Sequence, residues 1–374
     1  MKAIIHIGMP KTGTTTLQKW LGANAAGLLA QGVLYDRIKL RDARQNPSQV
    51  ELFLCCLEEM GREVKADALR RQFGIAERAD QTRRVEEFQG AIQRMMDAQP
   101  DAERIVFSTE YLSGMCRTVP HVQAISAWAD RLFDKTTFVV YLRRQEDYLV
   151  SRYVQTLREG AVHTVEEYLE KVALQDYWAL TERWVEGSGD RLKVRLMEPG
   201  AMKDGDLIAD FCEVIGADPG PLEPVERANE SFSGRSAEIM RALNVDTPRF
   251  VDERARGKNP FLVRTENRLL RLDADGAKLR LMPEELADVR RVNAEGNERL
   301  RAKWFPEREA LFPEKPAPAA PGRPTAADVA ELAARLLKDV DEERAADAAP
   351  RIASSKPEPT KGGGLIKRLI GQSS

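Results

Sequence analysis

The chain has 374 residues, 43% hydrophobic and 31% charged, a balance that describes a globular protein with room for one large or two ordinary domains. With 57 Lys and Arg against 59 Asp and Glu the net charge is -2, which argues against a nucleic-acid binder, whose footprint is an excess of base. No apolar run reaches the roughly eighteen residues of a spanning helix, so no transmembrane segment is expected. Ile4, Ile5 and Ile7 predict a first strand, buried on both faces of a parallel sheet. After it comes the turn Gly8-Met9-Pro10-Lys11-Thr12-Gly13-Thr14-Thr15-Thr16, and then Leu17, Trp20, Leu21 and Leu28 at helical spacing. A turn that feeds a helix N-terminus gathers unpaired N–H groups and the positive end of the helix dipole, which suits an anion. Gly8 and Gly13 have the spacing of a nucleotide phosphate loop, but Thr14 stands where a Walker A loop has lysine, and the lysine sits inside the loop at position 11. A solvated Gly/Thr helix cap and a kinase phosphate loop are the competing readings of this turn.

The first helix is expected to run on to about residue 36, leaving through Gly32 into a short extended piece, Val33-Leu34-Tyr35. Residues 40–100 read as a helical insertion before the second strand, on the side where a substrate enters. That strand, 104–110, carries Glu110 at its carboxyl end, the edge where open α/β sheets collect ligands; a helix cap or a surface ion pair is an equal reading of Glu110. Residues 137–142 form the third strand, which runs straight into Arg143, Arg144 and Gln145 and a helix bearing Ser151; Arg152 and Arg158 read as solvated helix charges. A helix follows at 164–185, a fourth strand at 192–196, a helix at 206–215 ending at Gly216, and another at 237–243. Beyond Arg254, Arg256 and Lys258, the Pro/Ala-rich stretch from 313 reads as a linker to a lone helix at 325–344. The tail from 345 is read as disordered, with Leu365-Ile366-Lys367-Arg368-Leu369-Ile370 a sticky segment for a partner protein or a membrane surface. Cys55, Cys56, Cys116 and Cys212 have no metal-ligand spacing and His6, His121 and His163 are scattered, so no metal is expected. The cysteines read as reduced residues of a cytoplasmic protein, and the first strand leaves no room for a signal peptide.

Pro10-Lys11-Thr12-Gly13-Thr14-Thr15-Thr16-Leu17 resembles the 5′-phosphosulfate loop of the sulfotransferases that use 3′-phosphoadenosine 5′-phosphosulfate (PAPS). Arg143 after a strand and Ser151 eight residues on match that family's 3′-phosphate site, although Arg144 and Gln145 stand where the family usually has Asn or Thr and then Pro. The resemblance covers about residues 1–300 and takes in the unit of a strand, Glu198 and a helix ending at Gly216, and the loop Asn229-Glu230-Ser231-Phe232-Ser233. It implies an α/β fold of the P-loop type, three layers with a central parallel sheet, in a domain spanning 1–312. It implies that residues 10–16, Arg143 and Ser151 hold PAPS, that Lys11 serves the leaving phosphate oxygen, and that no metal takes part. Glu110 matches the base of the branch acting on carbohydrates; the cytosolic small-molecule branch has His there. The acceptor is then a hydroxyl or amine of a carbohydrate or glycoconjugate, and the basic loop at Arg254, Arg256 and Lys258 is a further candidate for the 3′-phosphate. The other readings are an ATP- and magnesium-dependent kinase and a non-catalytic nucleotide-binding module acting through its tail.

Overall fold

The computed structural model describes residues 1–36, 38, 48–172, 174–225, 232–252, 257–315 and 323–348. In chain order these form β1 (Lys2–His6), α1 (Thr14–Ala23), α2 (Ala25–Leu29), β2 (Val33–Leu34), α3 (Glu51–Glu59), α4 (Asp67–Phe73), α5 (Arg78–Ala98), β3 (Arg104–Ser108), α6 (Leu112–Met115), α7 (Val119–Leu132) and β4 (Lys135–Leu142). There follow α8 (Gln145–Arg158), α9 (Val165–Lys171), α10 (Tyr177–Ser188), β5 (Leu192–Leu196), α11 (Leu207–Ile215), α12 (Gly234–Asp246), β6 (Phe250–Asp252), β7 (Gly257–Lys258), α13 (Pro260–Leu272), α14 (Pro283–Trp304) and α15 (Ala326–Ala348).

Among these residues five strands make one all-parallel sheet in the order β2-β3-β1-β4-β5, and β6 pairs with β7 apart from it. The alternation of side chains along β1 sets the layers. Ile5 and Ile7 join the larger core with Leu52 of α3, Phe88 of α5, Trp128 of α7 and Trp184 of α10. Ile4 joins Leu17 and Trp20 of α1 and Phe211 of α11 on the opposite face. The fold is therefore α/β, with helices covering both faces of the sheet. His6 lies level with Ser108, so β1 and β3 end together, while β4, level with His6 at Val139, runs on to Leu142. The chain leaves β1 to build β2 and β3 on one side, then crosses to build β4 and β5 on the other; that reversal is where open α/β sheets form a ligand crevice.

Several expected elements are altered. The extended piece at 33–35 contributes a sheet strand, β2, so the helical insertion lies between β2 and β3. The first helix breaks at Asn24, whose side chain donates to the Trp20 and Glu223 carbonyls. The stretch 164–185 is two helices, because the Asp176 carboxylate accepts from Ala179 N–H at 2.9 Å and starts a new one. The helix expected at 325–344 is α15, and it is not isolated: it packs on α12 and α13, buries Leu332 completely and sets Asp339 against Arg268 and Arg271. The expectations for Asn229 to Ser231, Arg254, Arg256, residues 316–322 and Leu365 to Ile370 lie outside the described residues. No described helix is long and apolar enough to cross a membrane, and the four cysteines are buried and unbridged.

One buried carboxylate joins three elements beneath the site. Asp210 of α11 accepts from the Tyr141 hydroxyl of β4 at 2.7 Å, from Arg195 Nε of β5 at 2.9 Å and from Lys203 N–H at 2.9 Å. Asp210→Ala is expected to lower the unfolding free energy by about 3–5 kcal/mol, since it strands these donors. Urea titration checks this, and a loss under about 1 kcal/mol contradicts it.

Candidate functional site

The turn after β1 is built by backbone rather than by bulk. Gly8 has φ +65°, and a Cβ on it would lie 1.8 Å from the Thr109 carbonyl oxygen, so the end of β3 presses directly on the loop. Lys11 also has a positive φ, 65°, at a cost of about 1–2 kcal/mol for a residue with a Cβ. Its carbonyl accepts from Arg143 Nη1 at 2.9 Å, which holds the strained peptide in place. The Thr12 and Thr14 hydroxyls both donate to the Met9 carbonyl, at 2.7 and 3.4 Å, so these two buried threonines brace the turn. Gly13, left-handed at φ +78°, caps α1 without any side-chain bond. Leu17 N–H is the first to close an intrahelical bond, to Gly13 O, and the N–H groups of Thr14, Thr15 and Thr16 ahead of it have no intrahelical acceptor. An anion fits there. Pro10 and Thr16 are half-buried beside it.

Glu110 follows β3 and meets this loop. Its Oε1 accepts from the Thr15 hydroxyl at 3.3 Å. Burial raises the Glu110 pKa, against the Thr15 bond and the Lys11 charge, which lower it. Lys11 is displaced the other way. Burial lowers its pKa, followed by the Arg158 and Arg143 charges, while Glu110 opposes them. A carboxyl with raised pKa and an ammonium with lowered pKa thus act on one another at the end of β1 and β3, an arrangement suited to moving a proton and meeting new negative charge.

The two arginines after β4 have separate tasks. Arg144 is 3% exposed and turns into the body, pairing with Glu198 at 3.1 Å and Glu146 at 3.8 Å. Arg143 turns to the loop, its own carbonyl held by the buried Tyr177 hydroxyl at 2.6 Å, and it faces no carboxylate among the described residues. Ser151 is half-buried two turns along α8. Arg158 is not the solvated charge expected: it lies over the Phe232 ring at 4.6 Å and pairs with Glu266 at 3.2 Å. Glu266 also takes Arg249 at 2.9 Å, so two guanidinium groups share one carboxylate, and Arg249 Nε and Nη1 are buried with no hydrogen-bond partner among the described residues. The Arg158 charge bears on Lys11.

The loop, Lys11, Glu110 and Arg143 are therefore brought together at one sheet edge, with Ser151 on the helix that follows Arg143. Sequence reasoning missed Arg158, Arg249 and Glu266, and also Ser48 and Gln49, which bond the end of β3. The one available signal was that Arg158 stands seven residues after Ser151, on the same helix face. Compared with known proteins, the chain matches no family, no curated protein and no solved structure.

Proposed function

We propose that this chain is a sulfotransferase that moves a sulfuryl group from PAPS to a hydroxyl or amine of a carbohydrate or glycoconjugate. The observation that carries the reading is the convergence of an uncapped helix N-terminus with Lys11, Glu110 and Arg143. Residues 10–16 act as the phosphate-binding loop, and the N–H groups of Thr14, Thr15 and Thr16 receive the 5′-phosphosulfate. Arg143, which faces no carboxylate among the described residues, and Ser151 take the 3′-phosphate, so they position the donor. The acceptor oxygen or nitrogen attacks sulfur opposite the bridging phosphate oxygen. Its bond to sulfur forms as the bond from sulfur to the phosphate breaks, and Glu110 takes the proton. Lys11 and the loop N–H groups stabilise the charge that appears on the phosphate oxygen, where preorganised donors lower the barrier most.

The test is affinity for 3′-phosphoadenosine 5′-phosphate against AMP, which lacks the 3′-phosphate. A bond between a guanidinium and a phosphate is worth about 1.5–3 kcal/mol, so the wild type is expected to prefer the bisphosphate by about tenfold or more. Arg143→Ala is expected to erase that preference. Arg144→Ala is expected to lower stability and keep the preference, because its charge is spent on Glu198 and Glu146. A wild type that binds both nucleotides equally contradicts the assignment.

A further inference from the structure

β2 is two residues long and pairs only with Arg104 and Ile105. On that flank no strand among the described residues lies beside the later half of β3, yet Phe107, Ser108 and Thr109 are fully buried, so their peptide groups need partners from elsewhere. Ser48 and Gln49, each 5% exposed, supply them. Gln49 N–H donates to Ser108 O at 3.1 Å, and Gln49 Oε1 accepts from Ser108 N–H at 2.7 Å, so one residue stands in for a neighbouring strand. Gln49 Nε2 donates to Asp36 O at 3.1 Å, which ties this substitute strand to the chain leaving β2. Ser48 Oγ accepts from Glu110 N–H at 3.0 Å and donates to Thr109 Oγ1 at 3.5 Å, and Thr109 Oγ1 accepts from Tyr111 N–H at 3.2 Å. With Thr109 N–H on His6 O at 3.0 Å, every peptide N–H from Ser108 to Tyr111 has its acceptor.

The Glu110 carboxylate itself has a weaker hold, a 3.3 Å bond from an exposed threonine. Its aim is therefore set by its backbone, and that backbone is fixed by Ser48 and Gln49. These two residues run directly into α3, the first helix of the insertion, which packs on α5 and α7. We infer that Ser48 and Gln49 are positioning residues for Glu110, coupling the seating of the helical insertion to the aim of the carboxylate at the crevice. The inference rests on the sulfuryl-transfer reading only in taking Glu110 as the reacting base. Were the two residues mere sheet-edge packing, their loss would lower stability and leave the carboxyl environment of the folded protein unchanged.

The test is ¹³C NMR titration of the Glu110 carboxyl, assigned with Glu110→Gln, and it needs neither donor nor acceptor. In the wild type Glu110 is expected to titrate above the ordinary glutamate value. In Ser48→Ala and Gln49→Ala the titration is expected to fall back toward that value as the side chain swings to solvent. Ser48→Thr keeps the hydroxyl and is expected to keep the wild-type titration. Unchanged titration in both alanine variants, with melting curves showing them folded, overturns the inference. Should Gln49→Ala not fold, Ser48→Ala carries the test, since it removes a single hydroxyl. A parallel titration with 3′-phosphoadenosine 5′-phosphate separates the two ideas: failure of the wild type to bind it counts against sulfuryl transfer, while the carboxyl titration still decides the role of Ser48 and Gln49.

Discussion

Glu110→Gln is expected to slow sulfuryl transfer by about a hundred- to ten-thousand-fold, the usual worth of a positioned base. Its side chain keeps the size of glutamate, and the groups proposed to bind the nucleotide lie on the β1–α1 loop, at Arg143 after β4 and on α8, so affinity for 3′-phosphoadenosine 5′-phosphate is expected to stay within about twofold. The pH profile carries more information than the rate. Burial raises the Glu110 pKa, so the wild-type rate should climb with pH through a value above the ordinary 4.3 or so of glutamate. It should fall again where Lys11 loses its proton, below the ordinary 10.4 or so of lysine. In Glu110→Gln the acid limb should vanish. The alkaline limb should move lower, because the Glu110 charge that supports the Lys11 proton is gone. Release of ³⁵S from labelled PAPS to a mixture of oligosaccharide acceptors measures both. Near-normal turnover with the acid limb intact would remove Glu110 from the chemistry.

Gly8→Ala is expected to be the most damaging small substitution in the chain. The residue pays the left-handed penalty of about 1–2 kcal/mol. Its new methyl also meets the Thr109 carbonyl oxygen at 1.8 Å, a backbone atom held by the bonds of Thr109 N–H to His6 O and Glu110 N–H to Ser48. Relief requires β1 and β3 to part at the site itself. A loss of more than about 4 kcal/mol is expected, in the range reserved for named structural failures. Gly61 provides the control, since its φ is +66° and nothing lies within 4 Å of its Cβ position; Gly61→Ala should cost only the conformational penalty. Equal losses for the two variants by chemical denaturation would show that the close approach at Gly8 does not matter.

The placement of the candidate site was legible where its pattern was local. The change from apolar run to helical spacing marked the turn at Gly8 to Thr16, and the ends of the apolar runs before Glu110 and Arg143 placed both at the carboxyl edge of a sheet. What escaped had no local pattern. β2 is too short to show a period, and the partnership of Gln49 with Ser108 joins residues 59 apart in sequence. The left-handed turn at Lys11 is invisible because lysine ordinarily avoids it. Arg158 looked like any surface charge on a helix, since Phe232 and Glu266, which bury and pair it, arrive from distant segments. α15 looked solitary for the same reason: Arg268 and Arg271, which receive its Asp339, lie beyond the Pro-rich stretch. Sequence could choose between Arg143 and Arg144 only by their order, whereas the burial of Arg144 against Glu198 separates their tasks.

On the proposed reading the β1–α1 loop serves a 3′-phosphorylated nucleotide rather than a nucleoside triphosphate. Calorimetric titration of the protein with 3′-phosphoadenosine 5′-phosphate, and separately with ATP and magnesium, tests it most directly. Saturable binding of the bisphosphate, which ATP with magnesium does not displace, is expected. Binding of ATP with magnesium, and none of the bisphosphate, would contradict it and put phosphoryl transfer in its place.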